Sequence, residues 1–208
     1  FDALVTPAEG SLTGLKEGAV IGSSSLRRRA QLLALRPDFD VRPLRGNVNT
    51  RLAKLDDGQF DALILACAGL ERLGLAARIS AALGLDTMLP AAAQGVIGVE
   101  CASDRRDLAG LLARLEHGAT RVSTLAERAV ARRLEASCHS PLASYAVVEG
   151  SDVRLRALVA SADGRRALRC EQSAPIGDPD RLGNEVAEAL LAQGAADLLD
   201  EAERSVDG

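Results

Sequence analysis

Between residues 18 and 66 short β-type runs alternate with helical periods, and this alternation constrains the fold more than any other feature of the chain. AVIG (19–22) precedes a helix-like stretch from Ser24 to Leu35, FDVRPL (39–44) precedes a second from about Asn47 to Leu55, and the apolar run DALILA (61–66) follows. Strand, helix, strand, helix, strand predicts a parallel sheet wrapped by helices. The unbroken apolar character of DALILA predicts a strand covered on both faces. A shorter helical piece is expected over about Leu70 to Leu83. After the loop DTMLPAAAQG, the apolar run GVIGVE (95–100) reads as a further strand.

Beyond Asp104 the pattern changes. Helical stretches are expected from about Arg105 to Leu115 and from Thr120 to Leu134, the second with Val122, Leu125, Ala126, Ala129 and Val130 on one face at helical spacing. Strand-like runs follow in SYAVVE (144–149), VRLRALVA (153–160) and ALRCE (167–171), separated by the hairpin-type turns EGSD and ADGR. An amphipathic helix from about Asp180 to Glu203, interrupted near Gly194, closes the chain. Helices with a small antiparallel sheet predict a separate α+β unit, with the boundary near residues 115–120.

Composition removes several classes of function. A chain with 47% hydrophobic residues and a mean hydropathy of +0.05 is too apolar for disorder, yet it has no long uncharged run to span a membrane. Phe1 stands where Met would, and the first ten residues have neither the basic start nor the apolar core of a secretory signal, so the chain reads as one lacking its beginning. Cys67, Cys101, Cys138 and Cys170 lie far apart, with no CxxC pair and no close histidine pair, which argues against metal binding and for reduced thiols in a cytoplasmic protein. The net charge is −4, and Lys16 and Lys54 are the only lysines among 25 basic residues. Arginines cluster instead, at Arg27, Arg28 and Arg29 and then at Arg36, Arg42, Arg45 and Arg51. Arginine's rigid fork of donors grips carboxylates and phosphates through paired hydrogen bonds, so the cluster points to an anionic ligand. Only 2% of residues are aromatic, which leaves no base-stacking platform and argues against nucleic acid as the partner.

Three places carry candidate chemistry. GSSSLRRR (22–29) lies between a strand and a helix, where a serine cap and first-turn amides would face an anion beside Arg27 and Arg28; a capped helix with a solvated basic edge explains the spacing equally well. PLRGNVNTRL (43–52) stands at a second strand-to-helix junction on the same sheet edge, the usual ligand crevice of an open parallel sheet. Its Arg45 and Arg51 would reach the same volume, or else pair on the surface with Asp56, Asp57 or Asp61. Arg72, after DALILA, is a third contribution or a plain helix-surface residue. Cys138, in LEASCHSPLASY, is a loop thiol beside His139; read from the residues alone it is more readily a small buried hydrophobe than a nucleophile.

GSSSLRR (22–28), LRGNVNTRL (44–52) and LEASCHSPLASYA (134–146), with AGLERLGL (68–75) and LPAAAQGVIGVE (89–100) between them, resemble the porphobilinogen deaminases, or hydroxymethylbilane synthases, in order and spacing. The resemblance runs from Phe1 to about Glu203. It implies a transferase of tetrapyrrole and heme biosynthesis that joins four porphobilinogen molecules head to tail with loss of ammonia, on a dipyrromethane cofactor held by a thioether. By position it implies Cys138 as the covalent anchor, with Ser24, Ser25, Arg27, Arg28, Arg45 and Arg51 binding the cofactor and Arg45, Arg51 and Arg72 binding substrate. Asn47 and Gln94 lie in matching blocks without an assigned role. The implied fold is an α/β lobe with a parallel or mixed sheet, like those of type II periplasmic binding proteins, followed by a small α+β domain with an antiparallel sheet. Residues 1–94 would be the central lobe, 95–117 a return segment belonging to a first lobe that the sequence lacks, and 118–208 the C-terminal domain carrying the cysteine. The family's proton-handling aspartate has no match, so no catalytic residue is assigned, and this chain alone is expected to be inactive. The complete protein is expected to be a cytoplasmic monomer. The alternative is a noncatalytic module or sensor for small anions built on the same lobe, which would need no covalent tether.

Overall fold

The structure is a computed structural model that describes residues 1–8 and 10–204. The first unit runs β1 (Asp2–Val5), β2 (Val20–Gly22), α1 (Leu26–Leu35), β3 (Asp40–Arg42), α2 (Val48–Asp56), β4 (Ala62–Ala66), α3 (Cys67–Arg72) and β5 (Ala81–Leu83). Its five strands form one mixed sheet in the order β3-β2-β4-β1-β5. The expected parallel set is there, with Ile21 opposite Val41 in β3 and opposite Ala62 in β4. Between β4 and β5, however, lies β1, antiparallel to both, with Leu4 opposite Ile64 and Ala81.

Alternation along the strands divides the lobe's interior into two layers. Leu4, Ile21, Val41 and Ile64 pack with Leu32 of α1 on one face of the sheet. Ala3, Val5, Leu63 and Leu65 pack with Leu52 and Leu55 of α2 on the other. The apolar run at 62–65 is thus covered on both sides, as its composition requires.

Two expectations in this half are corrected. The helix expected over Leu70–Leu83 stops at Arg72; Gly74 turns the chain with φ +71°, a short 3-10 turn spans Ala76–Arg78, and Ala81–Leu83 is extended because β1 offers it a hydrogen-bonding edge. GVIGVE forms no strand. Residues 95–100 have no neighbouring strand among the described residues, and Val96, Ile97 and Val99 are exposed. The next element, α4 (Arg106–Leu112), buries no residue.

The second unit comprises α5 (Gly118–Arg133), β6 (Leu142–Glu149), β7 (Asp152–Ala160), β8 (Ala167–Pro175), α6 (Pro179–Ala192) and α7 (Ala195–Arg204). Its strands make an antiparallel sheet in the order β6-β7-β8. Ala126 and Val130 of α5, Val186 and Leu190 of α6, and Leu198 of α7 close over the inner face of that sheet, which presents Val153, Leu155, Ala157 and Val159. Helices α5 and α6 touch at Gly183, where an added Cβ would lie 2.4 Å from the Ala126 carbonyl oxygen. Gly194, with φ +97°, separates α6 from α7. No helix among the described residues is long and apolar enough to cross a membrane.

The two units are in direct contact. Ala30 and Leu89 pack with Ala143, Leu158 and Ala160. The β7–β8 turn lies so close to α1 that a Cβ at Gly164 would stand 2.4 Å from the Ala30 carbonyl oxygen. Arg156 pairs with Asp86 at 2.7 Å, and the Ser144 N–H donates to the Pro90 carbonyl.

Candidate functional site

Two parallel strands, β2 and β3, end side by side, and each hands over to a helix whose N-terminus faces the same space. Ser25 caps α1, its hydroxyl accepting from the Arg28 N–H, and Asn47 caps α2, accepting from the Thr50 N–H at 2.9 Å. Ser24 ties the junctions together: its hydroxyl accepts from the Leu44 N–H and donates to the Leu44 carbonyl, both at 2.9 Å. Gly46 makes the second turn with φ +115°, and a Cβ there would come within 2.9 Å of Thr50. Helix N-termini carry unsatisfied N–H groups and partial positive charge, so this edge is predisposed to anions.

Between the junctions lies a cleft of about 440 Å³ lined by Ser23, Ser24, Ser25, Arg29, Arg45, Arg51 and His139, with Val41, Pro43, Leu44 and others forming its floor. Among the described residues no carboxylate lines it. Arg45 and Arg51 take none of the surface ion pairs that the alternative reading offered: Asp56 pairs with Arg78 and Asp61 with Lys16, while Arg51 donates only to the Gly46 carbonyl. The site therefore holds guanidiniums that have no counter-ion from the described residues.

His139 reaches the cleft from the second unit, on the loop joining α5 to β6. Turn bonds close this loop on itself. The Ser140 N–H donates to the Ser137 carbonyl, and the Ser137 N–H to the Ser140 hydroxyl at 2.9 Å. Ser140 is buried, whereas Cys138 and His139 are displayed at the tip. Cys138 is an exposed free thiol. The structure thus brings together Ser24, Ser25, Arg45, Arg51 and, through its neighbour, the loop of Cys138.

Arg27, Arg28 and Arg72 do not line the cleft, although Arg28 is close enough to the cleft's Arg51 for their charges to repel. Arg27 faces inward with Ala30 and Gln31 on the buried side of α1. Its guanidinium donates to Asp2 at 2.8 Å, to the Leu89 carbonyl at 2.7 Å and to the Gln94 side-chain oxygen at 3.1 Å. Arg28 is bound to the same Asp2 and to the Ile64 carbonyl. Arg72 donates to the Gly95 carbonyl at 2.6 Å. Asn47 acts as the helix cap, and Gln94 as a partner of Arg27.

Three residues to which sequence reasoning gave no role of their own matter here. Arg29 lines the cleft, one turn from the Ser25 cap, and that spacing was a readable signal. Asp2 is fully buried in β1 and holds both Arg27 and Arg28. Burial pushes its carboxyl up, but the bonds and charges of the two guanidiniums outweigh burial and hold it below the ordinary carboxylate value. Glu127, buried in α5, accepts from the Ala93 N–H at 2.6 Å and the Ala146 N–H at 2.7 Å, so it clamps the 89–94 segment to the second unit. Burial raises its carboxyl to about 7 against the pull of those two N–H groups.

Together, the fold and the cleft describe an α/β protein with a cationic edge fit for a ligand bearing several carboxylates, overlooked by a thiol from an adjoining α+β unit. Comparison with known proteins places it more closely. Residues 1–110 match the family model described as porphobilinogen deaminase, dipyromethane cofactor binding domain, and residues 122–192 match that of the porphobilinogen deaminase C-terminal domain. A curated relative, the porphobilinogen deaminase of Xanthomonas axonopodis pv. citri (strain 306), is 52% identical over 200 residues. The match covers 96% of this chain and 66% of that relative, slightly under two thirds of its length. The chain belongs to the porphobilinogen deaminase family.

Proposed function

We propose that this chain is the part of a hydroxymethylbilane synthase that anchors and grips the growing pyrrole chain. The observation that carries the reading is the exposed Cys138 on a loop whose next residue lines a carboxylate-free cleft with Arg29, Arg45 and Arg51. Each pyrrole derived from porphobilinogen carries two carboxylates, and arginine forks with helix N-termini match that chemistry. The residues fit a dipyrromethane: Cys138 would hold it, with Ser24, Ser25, Arg45 and Arg51 receiving its acetate and propionate groups. When bound, it supplies the primer from which the chain grows.

Cys138 has a defined task in this scheme. The C–N bond of porphobilinogen breaks first, releasing ammonia and leaving an azafulvene; the Cys138 sulfur then adds to its exocyclic methylene, forming the C–S bond, and the thiol proton balances the ammonia as ammonium. Arg27 and Arg28 enter the reading indirectly. Held by Asp2, they fix the start of α1 against β1 and β4, so that the Ser25 cap and Arg29 face the cleft. Arg72 spends one of its five N–H donors on the Gly95 carbonyl and would offer the others to substrate carboxylates.

The finer part of the reading is that these 208 residues do not turn over alone. The proton-handling aspartate of the family belongs to a first lobe outside this sequence, and residues 95–117 return to that lobe, which would cover Val96, Ile97 and Val99. Residues 1–94 and 118–208 are then the central and C-terminal domains of a cytoplasmic monomer; the last four residues lie outside the described ones. The test is ammonia release and bilane formation from porphobilinogen. The chain joined to the family's first lobe should perform both, Cys138→Ser in that protein should perform neither, and the 208-residue chain alone should be inactive. Turnover by the Cys138→Ser protein would overturn the reading, and turnover by the chain alone would overturn its finer part.

A further inference from the structure

Resting on the reading above, we propose that His139 is a ligand-contacting residue of the cleft, donating a hydrogen bond to a carboxylate of the pyrrole nearest the Cys138 sulfur. Four observations lead there. Among the described residues His139 is the one cleft-lining residue contributed by the second unit; the others belong to the first. Its backbone N–H is used within the loop, donating to the Ser137 hydroxyl at 3.2 Å, but its ring has no hydrogen-bond partner among the described residues. The remaining ionisable groups lining the cleft are Arg29, Arg45 and Arg51, so the protein offers the ring donors and no carboxylate acceptor there. Finally, Cys138 immediately precedes His139, their Cα atoms about 3.8 Å apart, and both residues are exposed at the loop tip.

The contact works in either state of the ring, because a neutral imidazole still has one N–H and an imidazolium has two. Its effect is to place the first pyrrole. The arginines approach its carboxylates from the α/β lobe and His139 from the α+β unit, so the sulfur-proximal ring is held from both units at once. Rotation about the C–S bond, which a single tether leaves free, is thereby restricted.

The chain has only two histidines, and the other, His117, caps the distant N-terminus of α5, which makes it an internal control. The experiment is NMR of imidazole-labelled protein titrated with porphobilinogen, following the two rings together with the backbone amides of Ser24, Ser25 and Arg45. The expected result is movement of His139 and of those amides with a common affinity, His117 remaining still. Amides that respond while His139 does not would overturn this inference and leave the cleft reading intact. If neither responds, the cleft is not an anion site, and both fall. As a second measurement, His139→Ala should weaken porphobilinogen binding by about tenfold or more, the scale of one hydrogen bond to a charged group, and His139→Gln, which keeps a donor, should restore most of it. Equal affinity in wild type and His139→Ala would contradict the proposal.

Discussion

Glu127 gives the sharpest quantitative handle on how the two units are joined. Its carboxylate lies inside the protein, with one oxygen on the Ala93 N–H and the other on the Ala146 N–H, and no cation near enough to offset its burial. The carboxyl is displaced from 4.5 to about 7. A raised acid binds its proton more tightly when folded than unfolded, so between these values folding takes up a proton. Stability from this group is fully present below pH 4.5, declines as pH rises toward 7, and is constant above. At about 1.4 kcal/mol per pH unit the loss across the window is about 3 kcal/mol. Glu127→Gln removes the titration while keeping the shape. It also sets an amide NH2 against one of the two backbone donors, which adds a pH-independent cost of about 1–3 kcal/mol. Urea unfolding of both proteins at intervals from pH 4.5 to 8 separates these effects. The wild-type advantage over Glu127→Gln should shrink by about 3 kcal/mol on going up through the window and then level off. Parallel stability curves would show that Glu127 does not titrate there and would refute the reasoning.

Asp2→Asn should be costlier at neutral pH, because it leaves Arg27 and Arg28 buried with no carboxylate; a loss of about 3–5 kcal/mol is expected by denaturant unfolding. Because Asp2 is held below its ordinary value, its contribution in the wild type should fade only in strong acid, as pH falls through the lowered value. Gly183→Ala should force α5 and α6 apart at their contact, costing about 2 kcal/mol or more and lowering Tm, whereas the same change at Gly177, where a Cβ meets nothing within 4 Å, should cost far less.

The lobe was legible where chemistry and period agreed. The 18–66 alternation reads as strands and helices because its apolar spacing switches between two and 3.6 residues, and structure follows it closely. The element that escaped, β1, is four residues long and is defined by partners some sixty to eighty positions away in β4 and β5. Local propensity misled over Leu70–Leu83, where helix formers are abundant but a left-handed Gly74 and an open strand edge decide the outcome. Within the site, the arginine cluster announced an anion cleft, yet which arginines face it depends on the phase of α1. Ser25 sets that phase, turning Arg29 outward and Arg27 inward. The inward arginine in turn requires a buried acid, and Asp2 at the head of the apolar run ALV was the residue to suspect. Glu127, set among the apolar residues of TLAERAVA, carried the same signal.

The most direct test concerns a single sulfur. Intact mass spectrometry, followed by peptide mapping, of the protein joined to the family's first lobe and exposed to porphobilinogen should find a dipyrromethane adduct on the peptide containing Cys138, and on none containing Cys67, Cys101 or Cys170. An unmodified Cys138 in protein that forms bilane would contradict the account.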